Sequence, residues 1–345
     1  MDLSDTIVAV SSPAGGARSI VRLSGVLPDN YPEPTESVSV IETHHAWVFL
    51  TDTHAYKMKK PFRHRCIEYS SLASRRHLCN EEYRLNLPLA PFTYLGVLPL
   101  VVDENGELHI DGDGRPVEWL VKMHRLPEEW MLDKAAAADL VKRDHVEHFM
   151  ERMLDFYTSA RPCHVGPDAY VTRLQSEVAV TDRELRNPAF NFSPTQLDNI
   201  LDRLTAYIDA EQDLLESRQQ NKLVREVHGD LRPEHVCILF EGDIEILDRL
   251  EFDPELRCLD CVEELAFFGL ECRVIGQAWI EDVCIGCYQN KVHDNAPPHL
   301  WEFYAARRSV VRAMLSAWHT LEGDNRHRWL RRGRNYLALA EDYLD

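Results

Sequence analysis

The sequence has no run of about 18 or more apolar residues, so no membrane-spanning helix is expected. Basic side chains are also in short supply: 38 lysines and arginines stand against 57 aspartates and glutamates, a net charge of −19. That deficit argues against broad binding to nucleic acid or to an anionic membrane, since both need positive surface. It suits a cationic ligand, and equally a protein that is acidic for solubility alone. There is no G-x-x-x-x-G-K-[ST] sequence, no clear G-x-G-x-x-G loop and no H-E-x-x-H. The sixteen histidines, among them His44, His45, His64 and His77, show no metal-ligand spacing. No internal repeat or low-complexity tract is evident. Met1 to Gly25 is acidic at its start and has only short apolar runs, unlike a signal peptide with its basic start and longer apolar stretch. The expectation is a cytoplasmic protein with reduced cysteines.

At 345 residues and 45% apolar content, the chain is long for one hydrophobic core and comfortable for two lobes. The first 25 residues read as two short strands about the turn Ser12-Pro13-Ala14-Gly15-Gly16. A Pro- and acid-rich linker follows, over 26–37. Strands are then expected over 38–41, 46–50 and 55–59, a helix over 71–87, and strands over 96–102 and 117–123. After Pro127 the pattern is helical, over 135–159, 193–220, 262–277, 278–289, 298–321 and 326–344. A short hairpin, 236–240 with 244–247, turns at Glu241-Gly242-Asp243. The plan is α+β in two lobes: an extension over 1–36, a β-rich lobe with one helix over 37–126, and a mostly helical lobe over 127–345.

The informative stretch is His228-Gly229-Asp230-Leu231-Arg232-Pro233-Glu234-His235, then the hairpin, then Ile246-Leu247-Asp248. Phosphoryl transfer asks for a carboxylate near the attacking hydroxyl and acidic groups holding magnesium on a triphosphate. One Asp before a hairpin and another just after it can supply both. Upstream, Ala55-Tyr56-Lys57-Met58-Lys59 places two lysines on one face of a strand. Either can be a phosphate lysine, with Lys57 slightly preferred. Its helix partner is Glu82, with Glu81 as the alternative.

These residues resemble the aminoglycoside-phosphotransferase and choline-type kinases, and the resemblance runs from about Ser37 to the C-terminus. The segments Tyr56-Lys57-Met58-Lys59-Lys60-Pro61, Glu82 to Asn86, Tyr94-Leu95-Gly96-Val97 and His228 to Val236 are similar to one bacterial subfamily of unknown substrate, some members of which carry a further P-loop domain. The resemblance implies a protein-kinase-like fold, ATP and Mg2+ as cofactors, and a small-molecule hydroxyl acceptor. Asp230 is then the catalytic base or orienting group, Asp248 the metal ligand, and Lys57 or Lys59 with Glu82 the phosphate clamp. Met123 begins the hinge beside adenine. Asp260 and Glu264-Leu265-Ala266 resemble the structural acidic positions and helix that follow in that family.

His235 departs from the pattern, because most kinases of this fold have Asn there to hold a second magnesium. Imidazole is a poorer ligand for that hard cation. The alternative reading is therefore a nucleotide-binding or scaffolding pseudokinase without turnover.

Three other signals compete. Cys258-x-x-Cys261 and Cys284-x-x-Cys287 have the outline of a four-thiolate zinc site, against which stands simple core filling by buried thiols, the preferred reading. Arg307-Arg308, Arg312 and the arginines over 326–334 form a basic cluster, read first as solvated helix faces and second as an anionic ligand or partner site. Asp5-Thr6-Ile7-Val8-Ala9 and Ile20-Val21-Arg22-Leu23-Ser24-Gly25 resemble the start of the tRNA-modifying GTPases, without any of that family's GTPase motifs.

Overall fold

The structure, a computed structural model, describes residues 28–43, 45–61, 63–64, 67–292, 294–322 and 325–345. The strand pair expected in Met1 to Gly25, and His44, lie outside the described residues. Two compact units emerge, Met1–Lys134 with His235–Glu255, and Ala135–Glu234 with Leu256–Asp345. The division thus falls after Lys134 instead of residue 126. By contact the hairpin segment groups with the strand-rich unit, although chain order places it in the helical half.

The first unit is built on a six-stranded antiparallel sheet of β1 (Ser39–Glu42), β2 (Ala46–Leu50), β3 (His54–Lys59), β4 (Tyr94–Val102), β5 (Leu108–Ile110) and β6 (Arg115–His124), in the order β1-β2-β3-β6-β4-β5. Thr51 closes the β2–β3 turn: its hydroxyl accepts from the His54 N–H at 3.0 Å and donates to the His54 carbonyl at 3.1 Å. Strand alternation sorts the side chains of β3. Tyr56 and Met58 enter a core with Trp47, Phe49, Leu100 and Leu120, while Ala55, Lys57 and Lys59 take the other face. Lys57 is opposite Val121 and Ala55 opposite Met123 on β6.

Helix α1 (Leu72–Asn86) covers that other face through Cys79, which packs with Tyr94 and Val121. Ser71 caps it by accepting from the Ser74 N–H, and Pro88 bars its continuation. The hairpin Val236–Ile238 with Ile244–Ile246 is fixed to this unit by Glu245, which accepts from the N–H and hydroxyl of Thr93 at 2.9 and 2.7 Å.

The expected helix over 135–159 is two helices, α2 (Leu132–Ala137) and α3 (Arg143–Ser159), interrupted where Asp139 takes φ +56°. An unexpected helix follows, α4 (Pro167–Leu185). The run over 193–220 likewise divides, at Glu211, into α5 (Pro194–Ala210) and α6 (Gln212–Gln220). In the second unit α7 (Cys261–Val274) is central, with every residue from Cys261 to Cys272 buried; Phe268 stacks on Phe149 of α3 at 4.4 Å. Around it lie α8 (Trp279–Lys291), α9 (Pro298–Glu322) and α10 (Arg326–Leu344). A small strand pair, Val224–Glu226 with Cys258–Asp260, leads into both the His228-Gly229-Asp230 loop and α7.

The cysteines correct one expectation and decide between two readings. Cys163 and Cys258 are joined by a disulfide, so not all thiols are reduced and Cys258 is not available as a thiolate. The four-thiolate zinc reading therefore fails. Cys261 and Cys284 are buried apolar filling, with burial raising their thiol pKa. Among the described residues no helix is long and apolar enough to cross a membrane.

Candidate active site

In the first unit, α1 and β3 bring together two lysines and one carboxylate. Lys57 Nζ lies 2.9 Å from Glu82 Oε1, and Lys59 Nζ lies 2.5 Å from Glu82 Oε2. Glu81 instead forms a two-pronged surface pair with Arg84, three residues on. Each lysine has a second acidic partner: Asp248 Oδ1 at 2.5 Å for Lys57, and Glu251 Oε1 at 2.5 Å for Lys59. The Tyr69 hydroxyl also donates to Glu251, at 2.7 Å. Two ammonium groups thus face three carboxylates.

Burial opposes charge on Glu82, yet Lys57 and Lys59 outweigh it and hold its pKa below the ordinary range. Burial likewise opposes charge on both lysines. Asp248 and Glu82 raise Lys57, Glu251 and Glu82 raise Lys59, and both stay protonated. Asp248 is held well below the usual carboxylate range: burial works against its charge, and Lys57 and His235 prevail.

The segment carrying Asp248 is laced to its surroundings by its backbone. Asp248 sits in the left-handed region at φ +61°, and its N–H donates to the Tyr94 hydroxyl at 3.2 Å. The next N–H, of Arg249, donates to Asn86 Oδ1 at 2.9 Å, and Asn86 Nδ2 donates to the Glu82 carbonyl at 2.8 Å. The hairpin brings His235 back to this segment, since Leu247 N–H donates to the His235 carbonyl at 2.8 Å. His235 Nε2 then lies 3.7 Å from Asp248 Oδ2. Met123 is paired across the sheet with Ala55 and Tyr94, partly buried beside Val121 and Leu247.

In the second unit, the Asp230 loop is shaped by a buried carboxylate that sequence reasoning assigned only as structural. Glu264 accepts from the N–H groups of Gly229 at 2.6 Å and His228 at 3.2 Å, and from the Tyr157 hydroxyl at 2.8 Å. Gly229 has φ +92°, a conformation that disfavours any side chain. Asp230, its side chain 29% exposed, has Arg232 Nε at 3.2 Å from Oδ2; Arg232 also reaches Glu234 at 2.8 Å. Asp260 caps α7 through the Val262 N–H at 2.9 Å and takes a two-pronged pair from Arg218 at 2.6 and 2.8 Å.

Lys57, Lys59, Glu82, Asp248 and His235 therefore form one cluster, Met123 flanks it, and Asp230 stands in the other unit with Arg232. Sequence reasoning missed Glu251, Tyr69, Tyr94 and Asn86. Of these, Asn86 and Tyr94 fall in segments that carry the family resemblance and Glu251 is the acid of Asp248-Arg249-Leu250-Glu251, but none was given a role; Tyr69 left no signal.

As for a metal, among the described residues no group of three or more His, Cys, Asp or Glu is placed to hold one. Magnesium binds through one or two carboxylates plus phosphates and water, rather than in an all-protein cage. Asp248, paired with Lys57 at 2.5 Å, is the carboxylate that would hold such a cation, with His235 Nε2 3.7 Å from it.

No family model matches the chain. Solved structures do. A choline/ethanolamine kinase family protein from Mesorhizobium loti superposes with a TM-score of 0.54 at 12% identity, over 95% of this chain and 97% of that one. The kinase-like fold is shared. Ethanolamine kinase of Plasmodium vivax gives 0.52 at 11% identity, over 88% of this chain and 81% of its own. Spectinomycin phosphotransferase in its AMP-bound complex gives 0.50 at 11% identity, over 94% and 98%. Among curated proteins, the chain is 28% identical over 296 residues to "Uncharacterized protein Rv2004c" of Mycobacterium tuberculosis and, at the same level, to "Uncharacterized protein Mb2027c" of Mycobacterium bovis. The match takes in 83% of this chain but 56% of theirs, so the chain spans little more than half the length of these relatives.

Proposed function

We propose that the chain transfers the terminal phosphoryl group of ATP to a hydroxyl of a small molecule. The observation that carries this reading is the Lys57–Glu82 pair closing on Asp248 within a kinase-like fold. A lysine oriented by a helix glutamate, next to an aspartate kept ionised, is what a triphosphate with its magnesium needs from the protein. When bound, magnesium–ATP would supply the electrophilic phosphorus, with ADP as the leaving group. Asp248, with His235 beside it, would hold the cation; Lys57 would turn from Asp248 to the phosphate oxygens while Glu82 keeps its ammonium in place. Asp230 would accept or orient the proton of the attacking hydroxyl as the new oxygen–phosphorus bond forms.

A second reading has His235 in its favour: an imidazole 3.7 Å from Asp248 in place of an amide suits a nucleotide-binding module without turnover. Thermal melting with ATP–magnesium, and with ATP plus a chelator, tests the shared premise. A ligand that binds only the folded protein at a hundredfold excess over its Kd stabilises by about 2.7 kcal/mol. The expected result is a magnesium-dependent rise in Tm that Asp248→Asn abolishes. Absence of any nucleotide effect would overturn both readings, and a rise without ADP release across a broad panel of hydroxy compounds would leave only the second.

A further inference from the structure

The second unit concentrates positive charge where the net charge of −19 gives no hint of it. Arg308 and Arg312 lie one turn apart on α9, with their guanidinium groups over the Phe267 ring of α7 at 5.4 and 5.9 Å. Arg312 and, from α10, Arg332 both lie over the Tyr336 ring at 5.6 Å. These same two arginines share one carboxylate: Arg312 Nε is 2.9 Å from Glu271 Oε1 and Arg332 Nη2 is 3.8 Å from Oε2. Arg308 has Glu263 at 2.8 Å, but Glu263 is already engaged by Arg307. Arg308 Nε is buried with no hydrogen-bond acceptor. Arg307 also has Glu177 at 2.5 Å, so four guanidinium groups, of Arg307, Arg308, Arg312 and Arg332, share three carboxylates, of Glu177, Glu263 and Glu271. Such an excess is costly when partly buried unless an anion completes it, and the planar fork of arginine is matched to carboxylate and phosphate.

The cluster is tied to the Asp230 loop through α7: Glu264, which accepts from the Gly229 N–H at 2.6 Å, stands three residues before Phe267, the ring under Arg308 and Arg312. Burial opposes the charge on Arg312, and the fields of Glu271, Tyr336 and Asp230 together raise its pKa above the ordinary arginine value. A hydroxyl compound long enough to reach from Asp230 along α7 would meet these arginines. Choline or ethanolamine would meet like charge here, whereas a compound carrying an oxyanion would be drawn in.

We infer that the acceptor is an anionic hydroxy compound, whose carboxylate or phosphate docks on Arg308, Arg312 and Arg332. The inference rests on the reading of Asp230 as the residue that receives the hydroxyl, so binding and turnover are tested separately.

In calorimetry on the full chain without nucleotide, the probes are hydroxy acids (glycerate, gluconate) and their phosphate counterparts (glycerol phosphate, glucose phosphate). Glycerol, glucose, choline and ethanolamine are the uncharged and cationic controls. The expected result is binding of oxyanion compounds alone, weakened roughly 10- to 100-fold by Arg308→Gln and by the more exposed Arg332→Gln, the cost of losing charge-assisted hydrogen bonds. A preference for one series over the other then assigns the anion as carboxylate or phosphate. An unchanged Tm shows that each variant is folded. Oxyanion binding that responds to the variants without any ADP release supports the anion site and counts against the kinase reading. ADP release with choline or glycerol while no oxyanion compound binds overturns the inference and keeps the kinase reading. Oxyanion binding indifferent to both variants overturns it as well.

Discussion

Replacing Lys57 and Lys59 by methionine, one at a time, separates chemistry from stability, because the two ammonium groups share Glu82 in different surroundings. Lys59 is 2% exposed and is bound by two carboxylates at 2.5 Å, Glu82 and Glu251. Lys59→Met leaves a single ammonium facing Glu82, Glu251 and Asp248. Removing one partner from a buried ion pair costs about 3–5 kcal/mol. The lower end applies, since methionine fills similar volume. With about 2–4 °C of Tm per kcal/mol for units of this size, the variant should melt roughly 10 °C below the parent.

Lys57 is 17% exposed, and its partner Asp248 is 45% exposed, so water can take over that carboxylate when the ammonium is lost. Glu82 keeps Lys59. Lys57→Met should therefore cost about 1–2 kcal/mol, yet remove the cation proposed to hold the phosphates, a loss of roughly 100- to 1000-fold in turnover. Parallel circular-dichroism melts and ADP-release assays read both quantities. The charge-burial reasoning is refuted if Lys57→Met melts lower than Lys59→Met. It is the choice of phosphate lysine that fails if Lys59→Met melts within about 2 °C of the parent and abolishes turnover.

Asp230→Asn should slow phosphoryl transfer roughly 100-fold or more while ATP–magnesium still raises Tm; near-parental turnover would remove Asp230 from the mechanism. The ion cluster also predicts a pH profile. Glu82 and Asp248 titrate below their unfolded values, so their stabilisation is complete above roughly pH 4–5 and is lost as pH falls through the depressed values. Lys57 and Lys59 titrate above theirs, so their share is complete below roughly pH 10 and is lost as pH rises through the raised values. Glu82→Gln should flatten the acid limb of Tm against pH, and an acid limb identical to the parent's would show that the cluster does not set it. The Cys163–Cys258 bridge spans 95 positions, and its loss should cost about 2–5 kcal/mol. A reductant should lower the Tm of the parent but not of Cys163→Ser; equal responses would rule the bridge out.

Much of this architecture is legible in the sequence because its signals are local and periodic. The alternation of β3 puts Lys57 and Lys59 on one face, and for that reason the sequence could not choose between them. The structure shows the physical cause, since both reach Glu82. What escaped is what its composition disguises, what is too short to show a period, or what pairs at long range. Helix α4 is hidden by Gly166 and Pro167 at its start and by the β-branched Val171, Thr172, Val178, Val180 and Thr181. Its buried Tyr170, Leu174, Val178 and Leu185 are the spacing that would have revealed it. The strands Val224–Glu226 and Cys258–Asp260 are too short to show alternation. The disulfide uses Cys163, which belongs to no C-x-x-C, and so the eye is led to the wrong pairing.

The two aspartates assigned to chemistry are held by opposite devices, and the contrast has a testable consequence. Before Asp230, the turned backbone is carried by Gly229 and paid for by Glu264, so the aspartate itself bears no strain. At Asp248 the aspartate occupies the left-handed region itself, at φ +61°. Non-glycine residues there cost of order 1 kcal/mol or more, and Asn tolerates the region at least as well as Asp. Stability does draw on the carboxylate through Lys57 at 2.5 Å, but with the Asp248 side chain 45% exposed that share is small. Asp248→Asn keeps the backbone preference, and Lys57 keeps Glu82, so its stability should lie within about 1 kcal/mol of the parent. The same substitution should erase the magnesium dependence of ATP binding. A loss of several kcal/mol would mean instead that Asp248 is there to neutralise Lys57, and its place in the active site would have to be given up.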